Sequence, residues 1–454
     1  MKILFFEDPL TDKNDIYWRM GHIVLDYPIY KNLVQAGVEC RMLTNEYGRE
    51  CALQAGLPSE HVITLPEAEV IDCLPDPQER IHHLFHEQEH YEGQVQKEPG
   101  WLGRMRSLFS RQPYHAPAQD ARRVYAESTI HALAALFRHR LQGYRPDLIL
   151  SWYPIPYLRR LLPGIPVLYK EAGFFGSPPF PWSHYSDPCG FHAHSWIRRY
   201  PTRAEAPAGI PALERLRAHF LPLIRQANPF VQRMQHLRSC FRKLVLVALQ
   251  ANNYYLFDRS CPYRSQAHVL YDILRELPRD IGVIPTLHPG HGIVSPTERH
   301  QIYTSHPNCL FLPEAELFQA PSQYLLQDCD AVITLGSAVG WHALFHRKPL
   351  ITLADCHLNP AASFPTVQAL VKAFARGCNL PNRDAHLAWV IFHYSIPQSV
   401  YQRPGWAAKY YQSAINTHAT NLESYYSEPA LAYDDYVQEI IHTASSNIPL
   451  KKAG

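Results

Sequence analysis

Short apolar runs alternate with longer segments of helical period along most of this chain. That alternation is typical of parallel sheets whose strands are joined by crossover helices. The strands predicted on this basis are residues 2–6, 39–43, 61–65, 147–152 and 166–170, and then 243–249, 282–287, 309–312, 331–335 and 349–353. The helices predicted are residues 28–36, 121–141, 266–276, 322–328, 338–346, 406–417 and 433–443. The pattern therefore predicts an α/β fold with two Rossmann-like halves.

With 454 residues, the chain is longer than one hydrophobic core usually organises. We predict an N-terminal Rossmann-like domain at residues 1–235 and a C-terminal Rossmann-like domain at residues 236–385, facing each other across a cleft. Residues 386–454 are expected to form helices that pack back toward the N-terminal domain. Two stretches interrupt the pattern. Residues 96–119 are predicted to be a long surface excursion, and residues 174–211 are unusually rich in proline, aromatic residues and histidine.

The composition excludes several classes of protein. A hydrophobic share of 46% and a charged share of 19% indicate a folded globular chain. The net charge of +2 does not indicate a general polyanion binder, so we expect no nucleic acid partner. Ten dispersed cysteines without a C-x-x-C pair favour a reducing, cytoplasmic location. No apolar run approaches the roughly 20 residues needed to span a bilayer, so we expect no membrane crossing.

A strand, a turn of small residues and a helix start are predicted in the segment from Asp330 to Leu344. Glycines there would let the backbone approach a ligand closely, and Ser337 is predicted to cap the helix. The neighbouring amides would then favour a phosphate group. An ordinary strand-to-helix turn with a serine cap explains the same residues.

A second strand end, with the sequence Leu287-His288-Pro289-Gly290, runs directly into an imidazole and glycine. His288 could donate a hydrogen bond to a phosphate oxygen and stabilise charge on a leaving group. A loop histidine before proline can also have no function. Ligands of open parallel sheets bind at the carboxyl ends of strands, so the two strand ends could converge on one nucleotide.

Several motifs together resemble the capsule-polysaccharide family of GT-B glycosyltransferases, over about residues 145 to 355. In the second half these are Leu249-Gln250, Asp258, Ser260, Leu287-His288-Pro289, Thr334, Ser337, Gly340, Ala343-Leu344 and Lys348-Pro349-Leu350. In the first half they are Lys170-Glu171-Ala172-Gly173-Phe174-Phe175, Pro178-Pro179-Phe180-Pro181, Asp187-Pro188-Cys189-Gly190-Phe191 and Ser195. That family includes bacterial enzymes that transfer 3-deoxy-D-manno-oct-2-ulosonic acid (Kdo) from CMP-Kdo. The His-Pro and Ser-x-x-Gly pieces are shared with sialyltransferase-like enzymes.

The resemblance implies a CMP-sugar site in the C-terminal domain. His288 and Ser337 would hold the phosphate, and Gln250 would face the cleft. The other donor-binding residues implied are Pro289, Thr334, Gly336, Ala338 and Gly340. The N-terminal domain would bind a saccharide or lipid-linked glycan acceptor, as in capsule or lipopolysaccharide (O antigen) synthesis.

Two carboxylates are the further catalytic candidates, beside His288. By resemblance to the retaining Kdo transferases, Asp187 is the expected nucleophile, and Glu171 an acid/base or acceptor-orienting group. Departure of CMP leaves an oxocarbenium-like centre that one facing carboxylate would stabilise. A carboxylate within bonding reach gives retention, and one held farther away gives inversion. Asp187 could instead start an Asp-Pro turn, and Glu171 could be a solvent-facing strand end.

The function expected is therefore transfer of Kdo from CMP-β-Kdo to a surface glycan, with retention. A sialyltransferase-like or other nucleotide-sugar transferase, or a non-catalytic glycan- or nucleotide-binding protein, is the alternative. No cofactor or essential metal is expected. The basic and apolar segment at residues 101–111 could dock on the inner membrane as a peripheral contact, or be a disordered loop.

Three further patterns favour plain structural explanations. His82, His86 and Glu89 share a helical spacing that can bind zinc, but a solvated helix is the preferred interpretation. The triplet Asp328-Cys329-Asp330 is expected to end a helix and open a strand, and not to hold a metal-bound nucleotide. The tyrosine pairs at residues 410–411 and 425–426 are expected to serve helix packing, or closure of the C-terminal tail onto the first domain, and not to form a platform for sugar stacking.

Overall fold

A computed structural model describes most of the chain. The described residues are 1–7, 16–73, 127–152, 158–173, 178–250, 261–263, 265–287, 293–318, 320–377 and 380–444. The predictions at residues 96–119 and 101–111 and at His82, His86 and Glu89 lie outside these ranges.

Eleven strands are formed by the described residues. They are β1 (Lys2–Phe6), β2 (Glu39–Asn45), β3 (Val62–Leu65), β4 (Leu148–Ser151), β5 (Val167–Ala172), β6 (Ser183–Asp187), β7 (Lys243–Ala248), β8 (Ile281–Thr286), β9 (Ala331–Thr334), β10 (Leu350–Thr352) and β11 (Ile396–Pro397).

The α-helices of the described residues number seventeen. They are α1 (Ile16–Gln35), α2 (Glu46–Ala55), α3 (Glu67–Asp72), α4 (Glu127–Leu141), α5 (Leu158–Leu161), α6 (Trp196–Arg199), α7 (Ile210–Gln226), α8 (Val231–Cys240), α9 (Gln266–Glu276), α10 (Pro296–Ser305), α11 (Pro321–Leu325), α12 (Val339–Phe345), α13 (Val367–Arg376), α14 (Asp384–Trp389), α15 (Gln398–Tyr401), α16 (Trp406–Thr420) and α17 (Tyr433–Ala444). A π-helical turn at Val390–Tyr394 follows α14. Short 3-10 turns lie at Ser59–His61, His192–His194, Pro201–Arg203, Pro207–Gly209, Pro313–Leu317, Leu326–Asp328, Asn359–Ala361 and Leu422–Ser424.

The first sheet has the strand order β11-β6-β5-β4-β1-β2-β3. Strands β1 to β5 pair in parallel, while β6 is antiparallel to both β5 and β11. Successive side chains of β1 enter two different hydrophobic cores. Leu4 and Phe6 belong to one buried cluster, and Ile3 and Phe5 belong to another. Burial on both faces explains why β1 is continuously apolar.

The second sheet is entirely parallel, in the order β10-β9-β7-β8. A single parallel bridge joins Val283 of β8 to Cys309. Residue 309 can be counted as a rudimentary outer strand beside β8. When β7, β8, residue 309, β9 and β10 are numbered 1 to 5 in chain order, the order across the sheet is 3-2-1-4-5, which is the Rossmann order. The α/β class with two Rossmann-like sheets, as in GT-B enzymes, is thereby confirmed.

Four details of the sequence prediction are wrong. Residues 309–312 form one bridge and not a strand. Pro28, expected to open a helix, lies inside α1, which begins twelve residues earlier. Residues 174–211, expected to interrupt the alternation of strands and helices, contain β6 and α6. Ser337 is not the helix cap, because α12 begins at Val339 with Ala338 as its N-cap.

The last helices contact the first sheet. Strand β11 pairs with β6, and Tyr401 and Tyr411 of α15 and α16 lie fully buried in the same cluster as Ile3 and Phe5. The packing role expected for the tyrosine pairs is confirmed for Tyr411 and Tyr426, which are 0% and 3% exposed. The predicted domain boundaries at 235 and 385 fall inside α8 and α14, and they stay predictions.

Arg217 of α7 ties the two halves together. Its guanidinium, only 3% exposed, donates hydrogen bonds to the carbonyls of Phe345 (2.9 Å) and Leu344 (3.0 Å), at the end of α12. The same guanidinium pairs with Asp384 of α14 at 2.7 Å. A cation at the carboxyl end of a helix is stabilised by the helix dipole. No helix among the described residues has the length and apolar character of a bilayer span.

Candidate functional site

The strands of the second sheet end at one level. Ala248, the last residue of β7, pairs with the last residues of both neighbours, Thr286 of β8 and Thr334 of β9. Thr334 in turn pairs with Thr352, the last residue of β10. The strand order reverses direction between β7 and β9, and this switch point is where open α/β sheets bind ligands.

Thr334 fixes the turn that follows β9. Its hydroxyl donates to the carbonyl of Ala248 (3.1 Å) and accepts from the amide of Ser337 (3.1 Å). The side chain is 1% exposed, so these two bonds are shielded from water. One threonine therefore holds the turn against the neighbouring strand, at the switch point.

Donor groups line this turn. The hydroxyl oxygen of Ser337 accepts from the amide of Val339 (3.3 Å), which leaves the hydroxyl hydrogen for a ligand. Within the part of the chain that the structure describes, the amides of Gly336 and Ala338 have no hydrogen-bond acceptor. Backbone amides without acceptors just before a helix can donate to an anion. Gly336, Ser337 and Ala338 can together donate to a phosphate group.

Gly340, the other predicted glycine of the site, has a packing role. A Cβ atom on Gly340 would lie 2.6 Å from Cδ1 of Leu358 and 3.3 Å from Cδ1 of Leu350. Contacts that short require the neighbours to move. The missing side chain therefore lets α12 approach β10, and the place of Gly340 in the donor site stays a prediction.

Gln250 lies two residues beyond β7 and is 7% exposed. Its Oε1 atom is buried and accepts no hydrogen bond from any described residue. A buried amide oxygen without a donor costs about 1–3 kcal/mol, which a ligand N–H or O–H group would offset. On the neighbouring strand, Thr286 accepts a hydrogen bond of 2.9 Å from Ser322, a contact that the sequence did not indicate.

Four residues of the predicted donor site or its motifs lie outside the described ranges. They are His288, Pro289, Asp258 and Ser260. Strand β8 ends at Thr286, so His288 follows the same carboxyl edge by two residues. Its role as a phosphate ligand stays a prediction.

The two candidate carboxylates lie on adjacent strands of the first sheet. Glu171 of β5 pairs with Tyr185, and Asp187 of β6 pairs with Tyr169. Paired and alternate residues point to the same face, so Glu171 and Asp187 are diagonal neighbours on one face. Glu171 is half-buried, with Oε1 accepting the Ala172 amide at 3.0 Å. The two residues therefore lie close together, and their catalytic roles stay predictions.

Asp187 is fully buried, and both of its oxygens are occupied. Oδ1 accepts from the amides of Cys189 (2.7 Å) and Gly190 (3.1 Å), and Oδ2 from the amide of Trp196 (2.8 Å) and the hydroxyl of Tyr394 (2.6 Å). Burial raises the pKa of Asp187 to about 6, and these donors oppose the rise. A nucleophile has to face its substrate. These contacts instead favour a role in holding residues 187–196, and the nucleophilic role stays a prediction.

A buried ion pair at the carboxyl edge of the first sheet was not predicted. Lys170 of β5 pairs with Asp26 of α1, and both side chains are almost completely buried. The indole of Trp152, just after β4, donates to Asp26 at 2.9 Å, and Lys170 Nζ lies 4.7 Å from the Trp152 ring centroid. Burial raises the pKa of Asp26, and Lys170 opposes that rise. The sequence signal was a lysine inside the apolar run of β5.

The segment after β6 reaches the carboxyl edge of the second sheet. The ring of His192 packs at a tilt of 34° against His357, which follows β10, with ring centroids 4.9 Å apart. Nearby, Arg198 pairs with Asp355 at 2.7 Å. The His357 ring also stacks on Trp341 of α12 at 5.7 Å. The loop after Asp187 therefore contacts the segment that follows β10, and that segment packs on α12.

No group of His, Cys, Asp and Glu residues that could hold a metal ion is found among the described residues, which include Asp328 and Asp330 but not His82, His86 and Glu89. Asp328 ends a 3-10 turn and Asp330 directly precedes β9, as expected for these two residues. The carboxylate of Asp330 pairs with Arg238 (2.8 Å) and Lys243 (3.0 Å).

Comparison with known proteins agrees with the resemblance seen in the sequence. Residues 225–359 match the family model described as "Capsule polysaccharide biosynthesis protein". The match covers less than a third of the chain, and it includes every strand of the second sheet. The expected resemblance to the capsule-polysaccharide family is confirmed over these residues. No curated protein matches the chain.

Solved structures with a similar arrangement are distant. The β-Kdo 2,7-transferase of KpsC from Thermosulfurimonas dismutans has 16% identity and a TM-score of 0.36, covering 66% of this chain and 90% of its own. The β-Kdo 2,4-transferase of the same KpsC has 16% identity and a TM-score of 0.34, with coverages of 55% and 81%. HepE from Anabaena, in complex with UDP and glucose, has 13% identity and a TM-score of 0.32, with coverages of 98% and 100%. Similarity this low defines neither the reaction nor the substrate of this chain.

Proposed function

We propose that this protein is a glycosyltransferase of surface polysaccharide synthesis, and that it transfers Kdo from CMP-β-Kdo to a saccharide acceptor. The observation that carries the proposal is the turn at Gly336, Ser337 and Ala338, where two amides without a described acceptor and one hydroxyl follow β9 at the switch point of the second sheet. The family match supports it, because residues 225–359 contain this turn.

The donor would lie across the carboxyl edge of the second sheet. The amides of Gly336 and Ala338 and the hydroxyl of Ser337 would donate to the CMP phosphate, with His288 as a further donor. Gln250 would accept a hydrogen bond from the donor substrate through its unpaired Oε1. Hydrogen-bond donors aimed at the leaving phosphate stabilise the charge that develops as the bond to the sugar breaks.

In the transfer, the bond from the anomeric carbon of Kdo to the phosphate oxygen breaks, and CMP leaves with the electron pair. A carboxylate, for which Asp187 stays the candidate, forms a bond to that carbon from the opposite face; the acceptor oxygen then displaces this carboxylate, and the acceptor proton passes to a base. Glu171, half-buried on the strand next to Asp187, is the carboxylate we assign to the acceptor side. We propose retention of configuration, which requires a carboxylate at the anomeric carbon.

No cofactor is proposed beyond the CMP-sugar co-substrate, and no essential metal. The acceptor is a saccharide, free or lipid-linked, and the protein would act in the cytoplasm and dock peripherally on the inner membrane. Nucleic acid is not a proposed partner.

Two measurements test this proposal. Thermal unfolding with CMP, CMP-Kdo, CMP-sialic acid and UDP-N-acetylglucosamine would show which nucleotide stabilises the fold. We expect CMP-Kdo and CMP to raise the melting temperature and the UDP-sugar not to do so. Stabilisation by CMP-sialic acid alone would favour a sialyltransferase-like enzyme.

NMR analysis of products formed from CMP-Kdo and a panel of synthetic acceptors would identify the reaction. A β-Kdo product supports retention, and an α product would contradict it. Donor binding without product on any acceptor would favour a non-catalytic binding protein. Activity that persists in EDTA would agree with a metal-independent mechanism.

A further inference from the structure

His192, in the loop after β6, has a backbone conformation that few residues adopt. Its φ is +47°, in the left-handed region where a Cβ atom crowds the backbone. Besides glycines, only Gln142 and Arg347 share this region among the described residues, and both directly follow helices, where a left-handed residue is common. His192 instead opens a 3-10 turn. The end of a helix therefore does not explain its conformation.

The loop holds this conformation from both sides of His192. Before it, the carboxylate of Asp187 accepts the amides of Cys189 (2.7 Å) and Gly190 (3.1 Å). After it, Ser195 donates to the His192 carbonyl from its hydroxyl (2.7 Å) and from its amide (3.1 Å). A strained conformation persists only where the surrounding structure over-determines it, and such residues cluster at functional sites.

The strained backbone brings the imidazole of His192 to the other half of the protein. Its ring packs at a tilt of 34° against His357, with ring centroids 4.9 Å apart, and both side chains are buried. Burial lowers the pKa of both imidazoles, that of His357 to about 3, so both rings are uncharged near pH 7. Two neutral rings can pack without the repulsion that two cations would have.

The contact continues from His357 to the turn at Gly336, Ser337 and Ala338, which we call the donor turn. The ring of His357 stacks on that of Trp341, with centroids 5.7 Å apart. The amide of Trp341 donates to the carbonyl of Ala338 at 2.9 Å. A continuous series of contacts thus runs from the loop after β6 to the donor turn.

A second contact joins the same two segments. Arg198 pairs with Asp355 at 2.7 Å, and both side chains are partly exposed. Ion pairs with this much exposure contribute little to stability. The buried ring pair of His192 and His357 is therefore the main contact that fixes the loop on the second half.

The donor turn itself is built without His192. Thr334 holds it through hydrogen bonds to the Ala248 carbonyl and from the Ser337 amide, all within the second half. Loss of the His192 ring would therefore leave the donor turn in place and release the loop that follows Asp187. Displacement of reacting groups by about 1 Å can slow a reaction about a hundredfold.

We propose that His192 is a positioning residue, whose ring holds the loop after Asp187 in register with the donor site through His357. Its strained backbone is retained because it delivers the ring to this contact. The inference rests on the proposed function for the identity of the donor and of the reaction. The contact between the two segments can be tested without any ligand.

The first test is hydrogen exchange of the full chain without ligand, read by mass spectrometry. H192N keeps a residue that tolerates the left-handed backbone and removes the ring. Amides in residues 187–196 and also in residues 353–358 should exchange about fivefold faster than in the wild-type protein. Those of residues 336–338 should be unchanged, because Thr334 still holds the donor turn.

The second test separates transfer from donor binding. With CMP-Kdo and an acceptor used by the wild-type protein, kcat of H192N should fall about 10- to 100-fold. Its Kd for CMP should stay within about twofold of the wild-type value. Titration with CMP also counts the folded sites, so kcat per site is not lowered by unfolded protein. A merely structural role of His192 would lower the number of sites and leave kcat per site unchanged.

Q142N is the matched control. Gln142 has the same φ of +47° but is exposed at the end of α4, so this variant should equal the wild type in exchange, kcat and Kd. H192F keeps an aromatic ring without the nitrogens and should retain more of kcat than H192N. H357A makes the same test from the other half. If the two rings act as a unit, the double variant H192N/H357A should lose no more than either single variant.

Several results would overturn the proposal. They are unchanged exchange of residues 353–358 in both H192N and H357A, a wild-type kcat in H192N, and additive losses in the double variant. A weaker Kd for CMP with normal kcat would place the effect of His192 on the donor turn. H192F with normal exchange but no more activity than H192N would make the imidazole nitrogens the working group.

Failure of the proposed function has a different signature. The wild-type protein itself would then neither be stabilised by CMP-Kdo nor react with it. The exchange result for H192N would be unaffected by that failure, because it involves no ligand.

Discussion

The hydroxyl of Tyr394 donates a hydrogen bond of 2.6 Å to Oδ2 of Asp187, across 207 positions of sequence. This bond joins the π-helical turn after α14 to the end of β6. Three backbone amides complete the coordination of the same carboxylate. The loop that includes Cys189 and His192 is thereby fixed to Asp187 by its own backbone amides, and Asp187 is fixed in turn by a tyrosine from a distant part of the chain.

Replacing Tyr394 by phenylalanine should lower the free energy of unfolding by about 1–3 kcal/mol. The reason is that the variant removes a donor from a buried carboxylate and leaves its other contacts in place. Chemical denaturation near neutral pH measures the difference. Y303F is the matched control, because Tyr303 is 60% exposed, and it should change stability by less than about 0.5 kcal/mol. Equal effects of the two variants would contradict the structural role of this bond.

Asp187 should also give the protein a characteristic dependence on pH. Its folded pKa of about 6 lies above its ordinary value of 3.8, so the folded state binds the proton more tightly than the unfolded chain. The resulting stabilisation is complete below about pH 4 and is lost as the pH rises through about 6. In D187N, which cannot titrate, the difference in unfolding free energy from the wild type should shrink by roughly 1–3 kcal/mol between about pH 4 and pH 7. If the difference in unfolding free energy between D187N and the wild type stays constant or grows over this range, the pKa of Asp187 is not raised in the folded protein.

The buried pair of Lys170 and Asp26 should behave as a unit. K170M leaves an unpaired carboxylate in the core and should cost about 3–5 kcal/mol. The double variant D26L/K170M removes both charges, and it should be more stable than K170M because no unpaired ion is left. Denaturation of the single and double variants gives the coupling energy. Additive losses would mean that the two charges do not interact.

The parallel strands were predictable because a strand buried on both faces must be apolar throughout. Strand β1 shows this, with Ile3 and Phe5 in one core and Leu4 and Phe6 in the other. The carboxyl-edge location of Ser337 followed, since parallel strands point the same way and their following turns collect at one edge. Local sequence was sufficient for both inferences.

Strand β6 was missed because its sequence is polar although every one of its residues is buried. Its polar groups are satisfied from far along the chain. Tyr426 donates to the Ser186 carbonyl at 2.5 Å, and Tyr394 donates to Asp187. Hydrogen bonds to residues so far along the chain leave no periodic pattern in the local sequence. The pairing of Asp26 with Lys170 was hidden for the same reason, with 144 positions between them.

Adding a methyl group at Gly340 should separate a packing role from a ligand role. G340A would place Cβ 2.6 Å from Leu358, and the overlap should cost about 1–3 kcal/mol of stability. L358A should relieve part of this loss when the two are combined. The control is A338G in the same turn, where the side chain is exposed. If G340A kept full stability and lost only CMP binding, Gly340 would act on the ligand and not on Leu358.

Replacing Gln250 by leucine should change stability and donor binding in opposite directions. In the free protein, the buried Oε1 has no described partner, so an apolar side chain of similar size should leave the melting temperature unchanged or raise it. Donor binding should weaken, because the ligand would lose its hydrogen-bond acceptor, by about tenfold in the dissociation constant. Thermal unfolding with and without CMP-Kdo measures both quantities on one sample. S337A is the companion variant, since it removes the hydroxyl donor from the turn and should weaken CMP binding without stabilising the free protein. A Q250L protein that is destabilised but binds CMP-Kdo normally would show that Gln250 supports the fold and does not contact the donor.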